Sequence, residues 1–88
     1  MTPLNIQFKT SVKKDLQNIP NKIVKTIFLK IIALQENPFP ADVKKLTGTE
    51  NLYRIRVGDY RIIYDVNKPG SLITIHYVRH RKTVYSSL

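Results

Sequence analysis

A guanidinium group presents a rigid fork of N–H donors that matches phosphate oxygens and stays charged at any physiological pH, so arginines gathered on one surface form a phosphate-binding device. The stretch YRIRVGDYRIIYDV, residues 53–66, sets Arg54, Arg56 and Arg61 around Gly58-Asp59, a dipeptide suited to closing a β-hairpin. Strand residues two apart share a face. Arg54 and Arg56 therefore point away from Tyr53, Ile55 and Val57, and Arg61 and Ile63 point away from Tyr60, Ile62 and Tyr64. A type II′ turn with Gly58 at its first central position pairs Val57 with Tyr60 and Arg56 with Arg61, bringing the arginines into one cluster. Directly opposed like charges weaken a hairpin by roughly a few tenths of a kcal/mol or more, an objection that a bound anion removes.

A second basic run, VRHRKTVY, supplies Arg79, His80, Arg81, Lys82 and Tyr85 near the end of the last predicted strand. With NKPG (67–70) as a four-residue loop, Tyr64 faces Ile73, Ile62 faces Ile75 and Arg61 faces His76. The outer face then carries Arg54, Arg56, Arg61, Ile63, Thr74 and His76. Strict alternation puts His80 on that cationic face and Arg79 and Arg81 on the other, and a bulge or bend reverses the assignment. Lys13, Lys14, Lys22, Lys25 and Lys30 read as the wet faces of helices, and His76 as cover for a strand neighbour.

Several chemistries are disfavoured by the residues present. The chain has no cysteine, which excludes disulfides, thiolate catalysis and cysteine-ligated zinc. His76 and His80 lie about 13 Å apart in an extended strand, with no carboxylate cluster to complete a metal site. No serine sits in a GxSxG-like setting, the six acidic residues show no convergence, and KKLTGTE lacks the spacing of a phosphate loop. Arginines, a histidine and a tyrosine suit one reaction that needs neither metal nor cofactor. RNA carries its own nucleophile, the 2′-hydroxyl, beside the scissile phosphate. An enzyme has to align that oxygen, neutralise the phosphorane and assist proton movement to the 5′-leaving oxygen. Arginine is a poor base, so His80 or Tyr85 is the candidate for proton transfer.

The elements that must position these groups are legible as patterns. LNIQFK (4–9) alternates as a half-buried strand with Leu4, Ile6 and Phe8 inward. Thr10 or Ser11 is placed to cap a helix carrying Val12, Leu16 and Ile19, which Pro20 ends while opening a second. Ile23, Ile27, Ile31 and Leu34 form the core stripe of that second helix, widened by Val24 and Phe28. QENPFPADVKKLTGTE reads as a connecting loop, after which the period changes from 3.6 to 2 and strands are expected over 52–57, 60–66 and 71–78. The expected fold is α+β: one domain over residues 1–88, a small, mainly antiparallel sheet with an N-terminal strand and a helix hairpin packed on one face. Fifteen Lys and Arg against six Asp and Glu give a formal charge of +9, which favours polyanionic or acidic partners. The N-terminus lacks the pattern of a secretory signal, and IVKTIFLKIIAL, interrupted by Lys25 and Lys30, is too short to span a membrane. A cytoplasmic protein with no membrane partner is expected.

The combination KKLTG, LYRIRVGDYRIIYDV and HYVRHRKTVY, preceded by LQNIPNKIVKTIFLKIIALQENP, resembles the RelE branch of the RelE/ParE toxin superfamily over nearly the whole chain. The resemblance implies a type II toxin that enters the ribosomal A site, cuts mRNA without metal, and is held inactive by an antitoxin wrapped around it. By position, Arg54 and Arg56 match residues that grip the RNA backbone, with Arg56 also close to the chemistry. Arg61 and Arg81 match arginines assigned to transition-state stabilisation. Tyr85 matches a tyrosine implicated in proton transfer or base stacking, and Lys45 a basic residue before the LxG turn. Arg79 and Lys82 are further candidates for substrate contact. His80 stands where only some relatives have histidine. The ParE branch shares the fold but poisons DNA gyrase and lacks the full basic and tyrosine set, so a gyrase inhibitor is the alternative reading. A basic RNA- or ribosome-binding module without catalysis is the third.

Overall fold

Proline and the hydrophobic period together divide the first half of the chain. In the computed structural model, which describes residues 3–46, 48 and 51–80, β1 (Asn5–Phe8) leads into α1 (Thr10–Gln17) and α2 (Asn21–Glu36). Pro20 separates the helices: it lacks the amide that would continue α1, and its carbonyl accepts from the Ile23 and Val24 amides at 2.9 and 3.0 Å to start α2. Lys9, with extended backbone, occupies the N-cap of α1, so the hydroxyl caps expected of Thr10 and Ser11 are not formed. The Ser11 hydroxyl instead donates to the His76 carbonyl across 3.3 Å.

The remaining elements are β2 (Lys44–Lys45), β3 (Tyr53–Val57), β4 (Tyr60–Asn67) and β5 (Leu72–His80). They form one sheet in the order β1-β5-β4-β3-β2, with β1 parallel to β5 and the other neighbours antiparallel. β2 lies inside the stretch expected to be a loop, because two residues are too few for an alternating pattern to register. Val12, Ile19, Ile27, Ile31 and Leu34 pack from the helices onto Ile55, Ile62, Tyr64, Ile73, Ile75 and Val78 of the sheet. Both helices therefore cover one face, as the α+β reading requires. The buried Tyr64 hydroxyl donates to the Pro38 carbonyl at 2.7 Å, tying the loop after α2 to the core. Burial raises its phenol well above the ordinary tyrosine range, with Asp42 and then Tyr53 adding to the rise.

Two packing expectations are corrected. Phe8 and Phe28 do not enter the core; they are 42% and 38% exposed and meet edge to face, ring centroids 6.1 Å apart. β1 ends at Phe8, so this residue lies at the margin of the sheet, where the α2 surface rather than the central core receives it.

The first hairpin has the predicted register, with Val57 opposite Tyr60 and Arg56 opposite Arg61. Gly58 has φ +58° while Asp59 stays on the negative side, as a type II′ turn demands. The second hairpin differs. Its loop is Lys68–Ser71, one residue later than expected, because the Asn67 side chain accepts the Gly70 amide at 3.0 Å and Asn67 itself pairs with Leu72. Tyr64 therefore faces Ile75, not Ile73. A bulge follows: Ile63 pairs with Tyr77, leaving His76 as the extra residue, and beyond it Ile62 faces Val78 and Arg61 faces Arg79.

Where β1 stops, α1 takes over as the cover of the β5 edge. The Lys9 amide donates to the Ile75 carbonyl at 2.9 Å, and the Asp15 carboxylate accepts the Val78 amide at 3.1 Å. An acidic side chain thus stands in for a missing strand partner.

Candidate phosphate-binding face

On the face opposite the helices, cross-strand pairing sets Lys44 beside Arg54, Arg56 beside Arg61 and Arg61 beside Arg79. Five cations therefore occupy one side of four adjacent strands. Arg56 is exposed, whereas Arg54 and Arg61 are only 8% and 4% exposed. Ile63 shares this face and is buried too.

Arg61 is the most buried of these cations. One terminal nitrogen donates to the Tyr60 carbonyl at 3.3 Å, while its buried Nε has no hydrogen-bond acceptor among the described residues. A buried donor left unsatisfied costs about 1–3 kcal/mol, more when charged, and with Arg56 directly across the strand the position favours an anionic acceptor.

The bulge at His76 decides which C-terminal residues join this face. Arg79, expected on the other side, lies opposite Arg61. Its Nε approaches Asp15 at 3.4 Å and its guanidinium stacks 4.5 Å from the Tyr77 ring centre, so it is held by α1 at the sheet margin. His80, expected among the arginines, pairs with Tyr60 on the helix-covered side, with ring centroids 5.5 Å apart. The physical reason is the same for both: one extra residue reverses the alternation of everything after it. Lys45 pairs with Tyr53 and so lies on the side away from Arg54; its neighbour Lys44 takes the place on the cationic face. Arg81, Lys82 and Tyr85 lie outside the described residues.

The sequence reading overlooked two residues. Lys44 had a signal, since a strand places one of two adjacent lysines on each face. Asp15 had none, because its contacts to Val78 and Arg79 span more than sixty positions. At the other end of the same face, the His76 Nε2 and the Asp65 carboxylate meet in a hydrogen bond at 2.5 Å, roughly four strand residues from Arg61 along β4. Among the described residues, no three His, Asp or Glu side chains converge to hold a metal ion.

The chain matches the family model for the ParE toxin of type II toxin–antitoxin systems over residues 6–85. It is 41% identical over 86 residues to Toxin RelE3 of Methanocaldococcus jannaschii, covering 93% of this chain and 96% of that one. Among solved structures, it is similar to a chain of the RelB–RelE antitoxin–toxin complex from Methanococcus jannaschii, with 39% identity, a TM-score of 0.76, and 93% and 98% of the two chains covered. A chain of the archaeal RelE–RelB complex from Pyrococcus horikoshii is 36% identical with a TM-score of 0.79, over 92% and 97% of the chains. The five-stranded sheet with two helices on one face, the arginine hairpin at its centre and these likenesses over nearly the full length lead to one conclusion: the chain belongs to the RelE/ParE superfamily of type II toxins.

Proposed function

We propose that this protein is a ribosome-dependent mRNA endonuclease, a toxin that cuts mRNA in the ribosomal A site by attack of the 2′-hydroxyl and needs no metal for that step. The observation that carries the reading is Arg61, a buried guanidinium set between Arg56 and Arg79, whose Nε has no acceptor among the described residues. A scissile phosphate supplies the missing acceptor and removes the repulsion between the paired arginines, and both gains increase as charge builds on the phosphorane. In this assignment Arg54, Arg56 and Lys44 hold the RNA backbone, and Arg61 and Arg81 stabilise the transition state. Tyr85 carries the proton, since His80 lies on the Tyr60 side of the sheet. Arg79 and Lys82 add to the backbone grip. The products are a 2′,3′-cyclic phosphate and a 5′-hydroxyl.

The partner that restrains it is an acidic antitoxin, in keeping with the +9 charge and with the antitoxin-bound state of the two archaeal relatives. The site of action is the cytoplasm, where ribosomes are; no helix among the described residues is long and apolar enough to cross a membrane. Purified toxin incubated with programmed ribosomes is expected to give site-specific cuts in the mRNA, lost in an Arg61→Ala plus Arg81→Ala variant that retains its circular dichroism. A second reading is gyrase inhibition, favoured by the ParE description of the matching family model. Intact mRNA together with trapped gyrase cleavage complexes establishes that reading in place of the first.

A further inference from the structure

At the end of the sheet remote from Arg61, a cleft of about 590 Å³ opens between the loop after α2, the start of β3 and the end of β4. Its aromatic wall is Phe39 and Tyr53, whose rings meet edge to face with centroids 5.1 Å apart. Tyr53 packs against the core, whereas Phe39 stands outside the core cluster and is 37% exposed. Asn51, Asp65, Asn67 and Lys68 line the rest, and polar groups among them remain for a ligand. His76 Nε2 bonds one Asp65 carboxylate oxygen, and the other has no hydrogen-bond partner among the described residues. The Asn67 side-chain oxygen accepts the Gly70 amide, which leaves its NH2 group to donate elsewhere. The Lys68 ammonium lies 5.3 Å from the Phe39 ring centre.

We propose that this cleft receives a purine nucleobase of the bound message, two or more nucleotides from the cut, and so adds base recognition to a phosphate grip that carries none. Asp65 joins the two sites: it lines the cleft and shares the cationic face of β4 with Arg61, four strand residues or roughly 13 Å away. Stacked nucleotides cover that span in about four steps of roughly 3.4 Å, and an extended strand in fewer. The occupant follows from the lining. A base stacks on Phe39 more strongly than a solvent-exposed ammonium does, so Lys68, on its flexible stem, turns from the ring to the adjoining phosphate. Two fused rings cover more of the aromatic wall than one, which favours a purine. The second Asp65 oxygen accepts from an N–H on the base edge, and the Asn67 amide donates to a ring nitrogen or carbonyl. This inference rests on the RNA-cleaving reading for the identity of the strand.

The test titrates the full-length protein into fluorescent ribose–phosphate strands that are abasic except for one central adenosine or one central uridine, and into a fully abasic strand. Wild type is expected to bind the adenosine strand about fivefold or more tighter than the abasic one, with the uridine strand between them. Phe39→Leu, with unchanged circular dichroism, is expected to bind all three alike, and Phe39→Trp to keep the order. Arg56→Ala should weaken all three by the same factor, as a phosphate contact does. On ribosomes, messages varied one position at a time around a fixed cut site should be cut faster with a purine at one position two or more nucleotides away, an effect erased by Phe39→Leu. Equal binding of the adenosine and abasic strands by wild type, or an adenosine preference that survives Phe39→Leu, overturns the proposal. So does a base preference in cutting that is confined to the two nucleotides flanking the cut, a result that leaves the nuclease standing. Adenosine-selective binding lost in Phe39→Leu, in a protein that leaves ribosome-bound mRNA intact, upholds the nucleobase cleft while refuting the nuclease.

Discussion

Arg56 and Arg61 face each other across β3 and β4, and among the described residues no carboxylate forms an ion pair with either, an arrangement of like charges that costs stability. Arg56→Thr is therefore expected to raise the unfolding free energy by about 0.2–1 kcal/mol, measured by urea denaturation, while lowering mRNA cleavage. A neutral or destabilising effect would show that the pair is not strained in the free protein. Inorganic phosphate at high concentration should narrow the stability difference, because only the wild type gains from a bound anion. At this scale the alternation of YRIRVGDYRIIYDV sufficed to find the cluster, since turn chemistry fixed which residues oppose. The burial of Arg54 and Arg61 was not legible, because periodicity assigns a side but not what packs over it.

The elements succeed or fail by their ends. Gly58-Asp59 specified the first hairpin without ambiguity, but the second depended on whether Asn67 belongs to the loop or to the strand, and its side-chain bond to the Gly70 amide places it in the strand. The bulge at His76 has no signature in the residue types around it; it became visible only through the exchange of Arg79 and His80 between faces. Asp15 then holds the bulged end of β5 against α1. Asp15→Ala is expected to destabilise the fold by about 1–3 kcal/mol by removing the acceptor of the Val78 amide, and Asp15→Asn, which keeps an acceptor oxygen, by less. Equal losses in urea denaturation would contradict the amide-acceptor role. Tyr64 makes a comparable tie between the sheet and the loop after α2. Tyr64→Phe should cost about 0.5–1.5 kcal/mol through loss of the bond to the Pro38 carbonyl. The Tyr64 phenol is harder to ionise folded than unfolded, so its contribution is complete below about pH 10 and declines as the pH rises past that value. The stability gap between wild type and Tyr64→Phe should accordingly shrink above pH 10, and a constant gap would contradict the burial of a neutral phenol.

For the whole molecule, the two faces of one thin sheet divide the work. The helix layer supplies the core and an exposed apolar ridge, and the opposite face gathers Lys44, Arg54, Arg56, Arg61 and Arg79. The architecture was readable from the change of period alone, and the family from the motifs. The allocation of residues after the bulge was not, because nothing in the residue types marks His76 as the extra residue. The central claim is that the cationic face cleaves RNA by recruiting the substrate's own 2′-hydroxyl. The most direct measurement places a single 2′-deoxynucleotide at the mapped cut site of an mRNA held in the ribosomal A site. Cleavage is expected at that site in all-ribose mRNA, ending in a 2′,3′-cyclic phosphate, and none where the hydroxyl is missing. Undiminished cutting of the deoxy-substituted message would contradict the account.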